Sequence, residues 1–166
     1  MWFYLFNDNC EGSMKEIQVV VGIILDNDHK VFLSKRKEGG HLGGFWEFPG
    51  GKVEPGESLM TALKRELKEE VDIDVDSCQL FSEERHVDSE RDICLSFYLV
   101  KDFTGVAKGN EGQKAQWIEL SKLNPKQMPP VNKGVIQKLK ATISLRDRDR
   151  RSRGRVVLRR AAFRLH

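Results

Sequence analysis

The sequence predicts an α+β fold, an α/β/α sandwich in which helices cover both faces of a mixed β-sheet. Three observations predict it: two β-branched, apolar segments near the start, an amphipathic helix in the middle, and further strand-like segments before a final helix. The apolar face of a sheet needs a packed layer to exclude water. A length of 166 residues suits one such domain.

The first half of the chain predicts short strands joined by loops. Residues 17–25 are rich in Val and Ile and are typical of a buried strand, and residues 31–35 alternate as a second strand. Asn27-Asp28 predicts a turn between them, so we expect a hairpin. A glycine-rich loop at residues 39–44 then leads to a short strand at residues 46–48.

The second half of the chain predicts two helices separated by strands. After a loop at residues 49–57, the Ser58 hydroxyl can cap a helix over residues 59–71. Pro129-Pro130 precedes a final amphipathic helix at residues 132–141. The strands between the helices are predicted at residues 79–87, 93–101 and 115–120.

Charge is distributed unevenly along the chain. From residue 142 onward nine arginines accompany two aspartates, a net +7, whereas the whole chain carries +3. The remainder is mildly acidic, which argues against a surface that binds nucleic acid stably, and the tail lacks interleaved aromatic residues apart from Phe163. Low-complexity arginine runs are typical of disorder. We therefore expect an N-terminal extension (1–13), one folded domain (14–141) and a basic, disordered tail (142–166).

Cysteine content and the N-terminal segment indicate the compartment. Cys10, Cys78 and Cys94 are far apart and form no CxxC pair, so they predict neither a disulfide framework nor a zinc site. The opening MWFYLF is too short to span a membrane and lacks the charged start of a signal peptide. We expect a monomeric, cytoplasmic protein that does not associate with membranes.

The helix at residues 59–71 carries carboxylates on its apolar face. At about 100° per residue, Glu66 and Glu70 fall inside the apolar arc and Glu69 lies at its edge. A Glu-rich helix is usually a solvated face, but the phase excludes that interpretation, since ionised carboxylates directed inward are costly unless paired or metal-bound. An all-oxygen cluster suits hard divalent cations such as magnesium. Gly50-Gly51, just before the helix, lets backbone carbonyls approach a ligand.

This segment resembles the Nudix box. The matching positions, spread over 23 residues, are Gly51, Glu57, Arg65-Glu66-Leu67, Glu69-Glu70 and Ile73. Asp72 stands where the family usually has Gly. Because Asp tolerates a left-handed helix end better than most residues, we expect little loss of function. The resemblance covers about residues 14–141 and, through the VGII, EFPGGK, EGQ and PPVN segments, is closest to MutT-type 8-oxo-dGTP diphosphatases.

The resemblance implies a Nudix-type sandwich that hydrolyses a nucleoside triphosphate, 8-oxo-dGTP, to the monophosphate and pyrophosphate, which would cleanse the nucleotide pool. It also implies bound magnesium, with manganese as a substitute. The implied metal ligands are the Gly50 carbonyl, Glu66, Glu69, Glu70 and Glu111. Glu66 is the expected general base, with Glu111 as the alternative. Glu57 and Arg65 complete the catalytic set, and we expect them to form an ion pair that orients the helix.

The remaining site residues carry two interpretations each. Arg36 ends the second strand and either contacts phosphates or is an exposed strand-end arginine. Phe48 and Arg91 are expected in the nucleotide pocket, although Phe48 could belong to the core. Asn132 either reads the oxidised base or caps the last helix. Its amide offers one acceptor and two donors, which match the O6 acceptor and N7–H donor of 8-oxoguanine but mismatch guanine at N7.

Two other functions stay open at this stage. The box handles phosphates and does not fix the base, so a pyrimidine triphosphate or a nucleoside diphosphate sugar is an alternative substrate. A non-catalytic nucleotide-binding regulator on the same fold would be expected to lack some box carboxylates. None of them is missing in this sequence.

Overall fold

The computed structural model describes residues 16–39, 42–87 and 92–162, with side chains as far as Arg148. Short 3₁₀ turns at Leu120–Lys122 and Pro125–Gln127 lead into the last helix. The strands and helices are β1 (Glu16–Ile24), β2 (Lys30–Lys35), β3 (Trp46–Glu47), β4 (Gly50–Lys52), α1 (Leu59–Val71), β5 (Ile73–Val87), β6 (Asp92–Gly105), β7 (Ala115–Glu119) and α2 (Asn132–Ala162).

The strands form a four-stranded sheet, β4-β1-β6-β5, and a three-stranded sheet, β3-β2-β7. β1 and β6 pair in parallel, whereas β5 pairs antiparallel with β6, so the prediction of a mixed sheet is confirmed. The predicted β1–β2 hairpin is wrong. The turn forms, but the two strands enter different sheets and share only the Leu25–Val31 bridge within the described residues.

The helices cover opposite faces of the sheets. Alternate residues of β1 pack on opposite faces of its sheet, because successive side chains of a strand point to opposite faces. Val20 and Ile24 pack with α1 and β5, whereas Val21 and Ile23 pack with β2 and α2. The predicted α/β/α sandwich is therefore confirmed, with one apolar cluster on each side of the sheet.

Both ends of α1 are where the sequence predicts them. The Ser58 hydroxyl accepts a hydrogen bond from the Thr61 N–H at 3.1 Å, which caps the first turn. Asp72 ends the helix in the left-handed conformation, with φ 58°. Its carboxylate pairs with Lys68 at 3.1 Å and Lys108 at 2.9 Å. The left-handed helix end is therefore confirmed, and the expectation of little loss of function stays a prediction.

Leu67 joins α1 to the sheet. It is fully buried, and a Cβ added at Gly22 of β1 would lie 2.7 Å from its Cδ1, so Leu67 fills the space above that glycine. Leu67→Ala should lower the free energy of unfolding by about 2–5 kcal/mol, measured by urea denaturation, because a cavity remains. Met60 on the same helix is 38% exposed, so Met60→Ala is the matched control. An equal loss in both variants would contradict the packing described.

α2 is longer than the sequence predicts. It runs to Ala162, so both the predicted end at residue 141 and the predicted disorder of residues 142–162 are wrong as statements about secondary structure. Ile143 is buried in the α2-side core, and Asp147 lies 3.5 Å from His29 at the β1–β2 turn. The assigned domain boundary therefore cuts through a packed helix. A catalytic domain that functions without the tail stays a prediction.

Truncation separates the packed part of α2 from the rest. Deleting residues 149–166 should leave kcat/KM for the expected triphosphate hydrolysis within about threefold of the value for the full chain. The reason is that the tail lies outside the sequence motifs of the site. Deleting residues 143–166 should also destabilise the fold by about 1.5–3 kcal/mol, because Ile143 leaves the core. Steady-state kinetics and thermal melts of both truncations test this. A tenfold loss of kcat/KM in the shorter deletion would place the tail in the site.

The described cysteines, Cys78 and Cys94, are free thiols. Cys10, like the rest of the N-terminal extension, lies outside the described residues. Among the helices that the structure describes, none combines the length and apolar character needed to cross a membrane.

Candidate active site

A cleft of about 350 Å³ lies where the end of β2, the start of β4, α1 and the loop before β7 meet. It brings together five of the residues predicted from sequence: Arg36, Gly50, Glu66, Glu70 and Glu111. The cleft is lined by Lys35, Arg36, Lys37, Glu47, Gly50, Glu66, Glu70, Glu111 and Gln113.

The two glycines before α1 are needed for close approach. A Cβ at Gly51 would lie 2.3 Å from the Glu66 carboxylate, so glycine makes room for that side chain. A Cβ at Gly50, where φ is +153°, would lie 2.1 Å from the Val20 carbonyl oxygen of β1. Glu66 is thus packed against the backbone, with its side chain 19% exposed.

Arg65 holds the carboxylates of Glu57 and Glu66 in place by hydrogen bonds. Its Nε and Nη2 donate to the two Glu57 oxygens, each at 2.9 Å, and Nη1 donates to Glu66 at 2.8 Å. A weaker contact reaches Glu69 at 3.4 Å. The hydrogen bond from Arg65 lowers the pKa of Glu57. The predicted Glu57–Arg65 ion pair is therefore present, and its two parallel hydrogen bonds fix the orientation of the guanidinium.

Glu70 is held by hydrogen bonds from two other parts of the cleft. Ser34 on β2 donates a hydrogen bond to its Oε1 at 2.6 Å, and the Gly50 N–H donates to its Oε2 at 2.9 Å. Burial raises the pKa of Glu70, hydrogen bonds from Ser34, Gly50 and Gln113 oppose that shift, and the nearby Glu111 carboxylate adds to it. Neutral donors thus orient the Glu70 carboxylate.

Glu69 and Glu111 are more exposed. The Glu69 side chain is 57% exposed and does not line the cleft, as expected from its position at the edge of the apolar arc. Glu111 is 52% exposed and lies 3.5 Å from the Lys37 ammonium group. The loop therefore brings a further carboxylate to the cleft, opposite the end of α1.

The donor set fits a divalent cation by its chemistry. In the part of the chain that the structure describes, no three Asp, Glu, His or Cys side chains converge, as they are placed, to hold one metal ion. Arg65 contacts oxygens of both Glu66 and Glu69. Carboxylates and the Gly50 carbonyl nevertheless offer only oxygen ligands, which hard cations prefer. Desolvation and the nearby Glu111 carboxylate both raise the pKa of Glu70, and a bound cation would stabilise its ionised form.

Glu47 is a site residue that the sequence reasoning missed. It lies on β3, lines the cleft and forms an ion pair with Arg36. Burial raises its pKa, and Arg36 opposes that shift. A carboxylate between Trp46 and Phe48 in an apolar strand was the available signal, because such a group needs a partner. Arg36 accordingly lies in the cleft with its side chain only 34% exposed.

Two of the residues predicted to contact the base, Phe48 and Asn132, do not line this cleft. Phe48 is 4% exposed and packs edge-to-face on Phe97 in the α2-side core, which supports the core interpretation. Asn132 is 5% exposed and is the first residue of α2. Its backbone N–H donates to the Pro129 carbonyl, and no described residue hydrogen-bonds its side-chain amide. Arg91 lies outside the described residues.

The fold and the cleft together define an α/β/α protein with an oxygen-lined acidic site beside basic residues, a class of site suited to phosphorylated ligands. The family model described as the NUDIX domain matches residues 20–138. The chain therefore belongs to the NUDIX family.

Named relatives are similar over most of their length. An Escherichia coli protein named 8-oxo-dGTP diphosphatase is 41% identical over 127 residues, covering 76% of this chain and 98% of the relative. An Escherichia coli CTP pyrophosphohydrolase is 40% identical over 104 residues, covering 63% and 76%. A solved structure of MutT, from a study of the Aliivibrio salmonicida and Vibrio cholerae proteins, is 40% identical with TM-score 0.69, covering 77% and 99%.

Proposed function

We propose that this protein is a magnesium-dependent pyrophosphohydrolase that converts 8-oxo-dGTP to 8-oxo-dGMP and pyrophosphate, and so cleanses the nucleotide pool. The observation that carries the proposal is the cleft. It places Glu66 and Glu70 of α1 beside the Gly50 backbone and Glu111, next to the basic residues at the end of β2. Likeness to proteins named for this activity supports the substrate.

Magnesium, with manganese as a substitute, would be held by the Gly50 carbonyl, Glu66, Glu69, Glu70 and Glu111. When bound, the cation supplies positive charge that neutralises the triphosphate oxygens. The chain's own part is to hold the carboxylate and carbonyl oxygens that would bind the cation. Ser34 and the Gly50 N–H fix the orientation of Glu70, and packing against Gly51 fixes the position of Glu66.

The other charged residues position the substrate and move the proton. Arg36 and Lys37 line the cleft and provide positive charge for the phosphates. Glu66 accepts the proton of the attacking water in this proposal, with Glu111 as the alternative base. Glu57 acts through Arg65, because its carboxylate accepts two hydrogen bonds from the guanidinium and holds that group against Glu66.

Base recognition is assigned to Asn132. A primary amide that is 95% buried and has no hydrogen-bond partner among the described residues is costly unless a ligand satisfies it. The lack of a capping bond from this amide also argues against the N-cap alternative. Phe48 lies two residues before Gly50, so the same segment connects the α2-side core to the cleft.

Hydrolysis of a pyrimidine triphosphate is the second candidate. It is favoured by the likeness to the Escherichia coli CTP pyrophosphohydrolase, which covers less of this chain than the likeness to the 8-oxo-dGTP diphosphatase. The cleft does not distinguish the two, because its residues would contact phosphates and cations.

A nucleotide panel tests the proposal. Pyrophosphate release from 8-oxo-dGTP, dGTP and CTP, and nucleoside monophosphate release from a nucleoside diphosphate sugar, are measured with magnesium, each over a range of concentrations. We expect the highest kcat/KM for 8-oxo-dGTP. A higher value for CTP would establish the alternative, and no release from any triphosphate would contradict both.

The partners are proposed as the sequence predicts them. We propose a monomer in the cytoplasm, without a stable nucleic-acid partner or membrane association. Light scattering of the purified chain tests whether it is a monomer. A gel-shift with single- and double-stranded DNA tests whether it binds nucleic acid stably.

A further inference from the structure

The loop at residues 108–113, here called the Glu111 loop, completes the C-terminal end of α1. A helix leaves its last carbonyls without partners inside the helix. The Asp72 N–H donates hydrogen bonds to the Leu67 and Lys68 carbonyls. The Glu111 loop donates hydrogen bonds to the carbonyls of the next three residues, 69–71. These bonds are Asn110 Nδ2 to the Glu69 carbonyl at 3.0 Å, Asn110 N and Gln113 Nε2 to the Glu70 carbonyl, each at 2.9 Å, and Lys108 N to the Val71 carbonyl at 3.1 Å.

Gln113 connects this helix end to Glu111 itself. Its Nε2 donates to the Glu70 carbonyl, while its Oε1 accepts the Glu111 N–H at 2.8 Å. A primary amide has one acceptor and two donors, so both ends of the group are used in fixed directions. The loop is also tight, because a Cβ at Gly109 would lie 2.2 Å from the Gln113 carbonyl oxygen.

The Glu111 side chain does little to fix its own position. It is 52% exposed, and its contact with Lys37 is a 3.5 Å ion pair between two exposed groups, which contributes little. The backbone must therefore determine where the carboxylate lies relative to Glu70. The backbone contact nearest to Glu111 is the hydrogen bond from its N–H to Gln113.

We infer that Gln113 is a positioning residue that holds Glu111 in register with the carboxylates at the end of α1. This inference rests on the proposed function, since the role of Glu111 is proposed there. The competing explanation is that Gln113 only caps α1 and stabilises the fold. The two explanations differ in whether the effect of Gln113 depends on the Glu111 side chain.

A double-mutant cycle separates them. The four proteins are the parent, Gln113→Ala, Glu111→Ala and the double variant. We expect Gln113→Ala alone to lower kcat/KM by about tenfold, and to cause no further loss beyond about twofold when Glu111 is already Ala. The same factor in both backgrounds would show that Gln113 acts independently of Glu111 and would overturn the inference. Gln116→Ala, at an exposed position on β7, is the matched control and should equal the parent.

A second readout needs no catalysis. Hydrogen exchange of the Glu111 amide, followed by NMR without nucleotide, should become about tenfold faster in Gln113→Ala. It should stay slow in Gln113→Glu, which keeps the acceptor. An unchanged rate in Gln113→Ala would overturn the inference even if activity falls.

A failure of the proposed function can be distinguished from a failure of the inference about Gln113 by measuring metal affinity. If the parent hydrolyses no triphosphate, the same cycle is measured as Mn²⁺ affinity by calorimetry, with the same expected dependence on Glu111. An additive result there overturns the positioning role. If Glu111→Ala changes neither activity nor Mn²⁺ affinity, Glu111 has no role in the site and the inference is also overturned.

Discussion

Glu66→Gln should lower kcat/KM for triphosphate hydrolysis by about 10²–10⁴-fold, the usual effect of losing a general base or a metal ligand. The carboxylate lines the cleft, packs against Gly51 and is hydrogen-bonded by Arg65 at 2.8 Å. Glutamine keeps the shape of the side chain and can still accept from Arg65, so the fold should survive. Steady-state kinetics with magnesium, together with a thermal melt, measure both effects.

The matched control is Glu83→Gln. Glu83 is exposed on β5 and does not line the cleft, so kcat/KM should stay within about twofold of the parent. Glu66→Gln with turnover within about threefold of the parent would remove Glu66 from its assigned role. A large loss accompanied by unfolding would assign the residue to stability instead.

Asn132→Ala should abolish the preference for the oxidised base. A site that hydrogen-bonds its substrate can reject a mismatched analogue by up to about 10⁴–10⁵-fold, because a buried polar group is left unpaired. The Asn132 amide is 5% exposed and without a described partner, so it fits the O6 acceptor and N7–H donor of 8-oxoguanine. Without the amide, 8-oxo-dGTP should bind more weakly and its kcat/KM should approach that of dGTP.

Asn124→Ala is the control for a capping asparagine. Its side chain accepts from the Lys126 N–H at 3.0 Å at the start of a 3₁₀ turn. This variant should lower the melting temperature and leave the ratio of kcat/KM values unchanged. If Asn132→Ala behaves in the same way, the residue is a cap and the selectivity comes from elsewhere in the pocket.

Elements encoded locally could be predicted from the sequence. The bounds of α1 agree with the prediction because Ser58 caps its start, Asp72 ends it and an apolar stripe lies between them. The stripe also revealed the carboxylates, since Glu66 and Glu70 interrupt its phase. By contrast, β4 has no apolar pattern, and Gly50–Lys52 is a strand only because it pairs with β1.

Features that depend on tertiary pairing could not be predicted. β5 begins at Ile73, earlier than expected, because pairing with β6 overrides the low strand propensity of Asp74 and Asp76. The Glu47–Arg36 ion pair joins β3 to the end of β2, and nothing in the local sequence places those two residues together. The Glu111 loop was found only through its family resemblance. Its hydrogen bonds to α1 link residues about forty positions apart.

The most direct test of the central claim is a product assay on 8-oxo-dGTP with magnesium. We predict that 8-oxo-dGMP and pyrophosphate form in equal amounts, and that a chelator stops the reaction while the circular dichroism spectrum stays nearly unchanged. The Glu66→Gln protein should give almost no product under the same conditions. Release of inorganic phosphate with 8-oxo-dGDP, or undiminished turnover after chelation, would contradict the account.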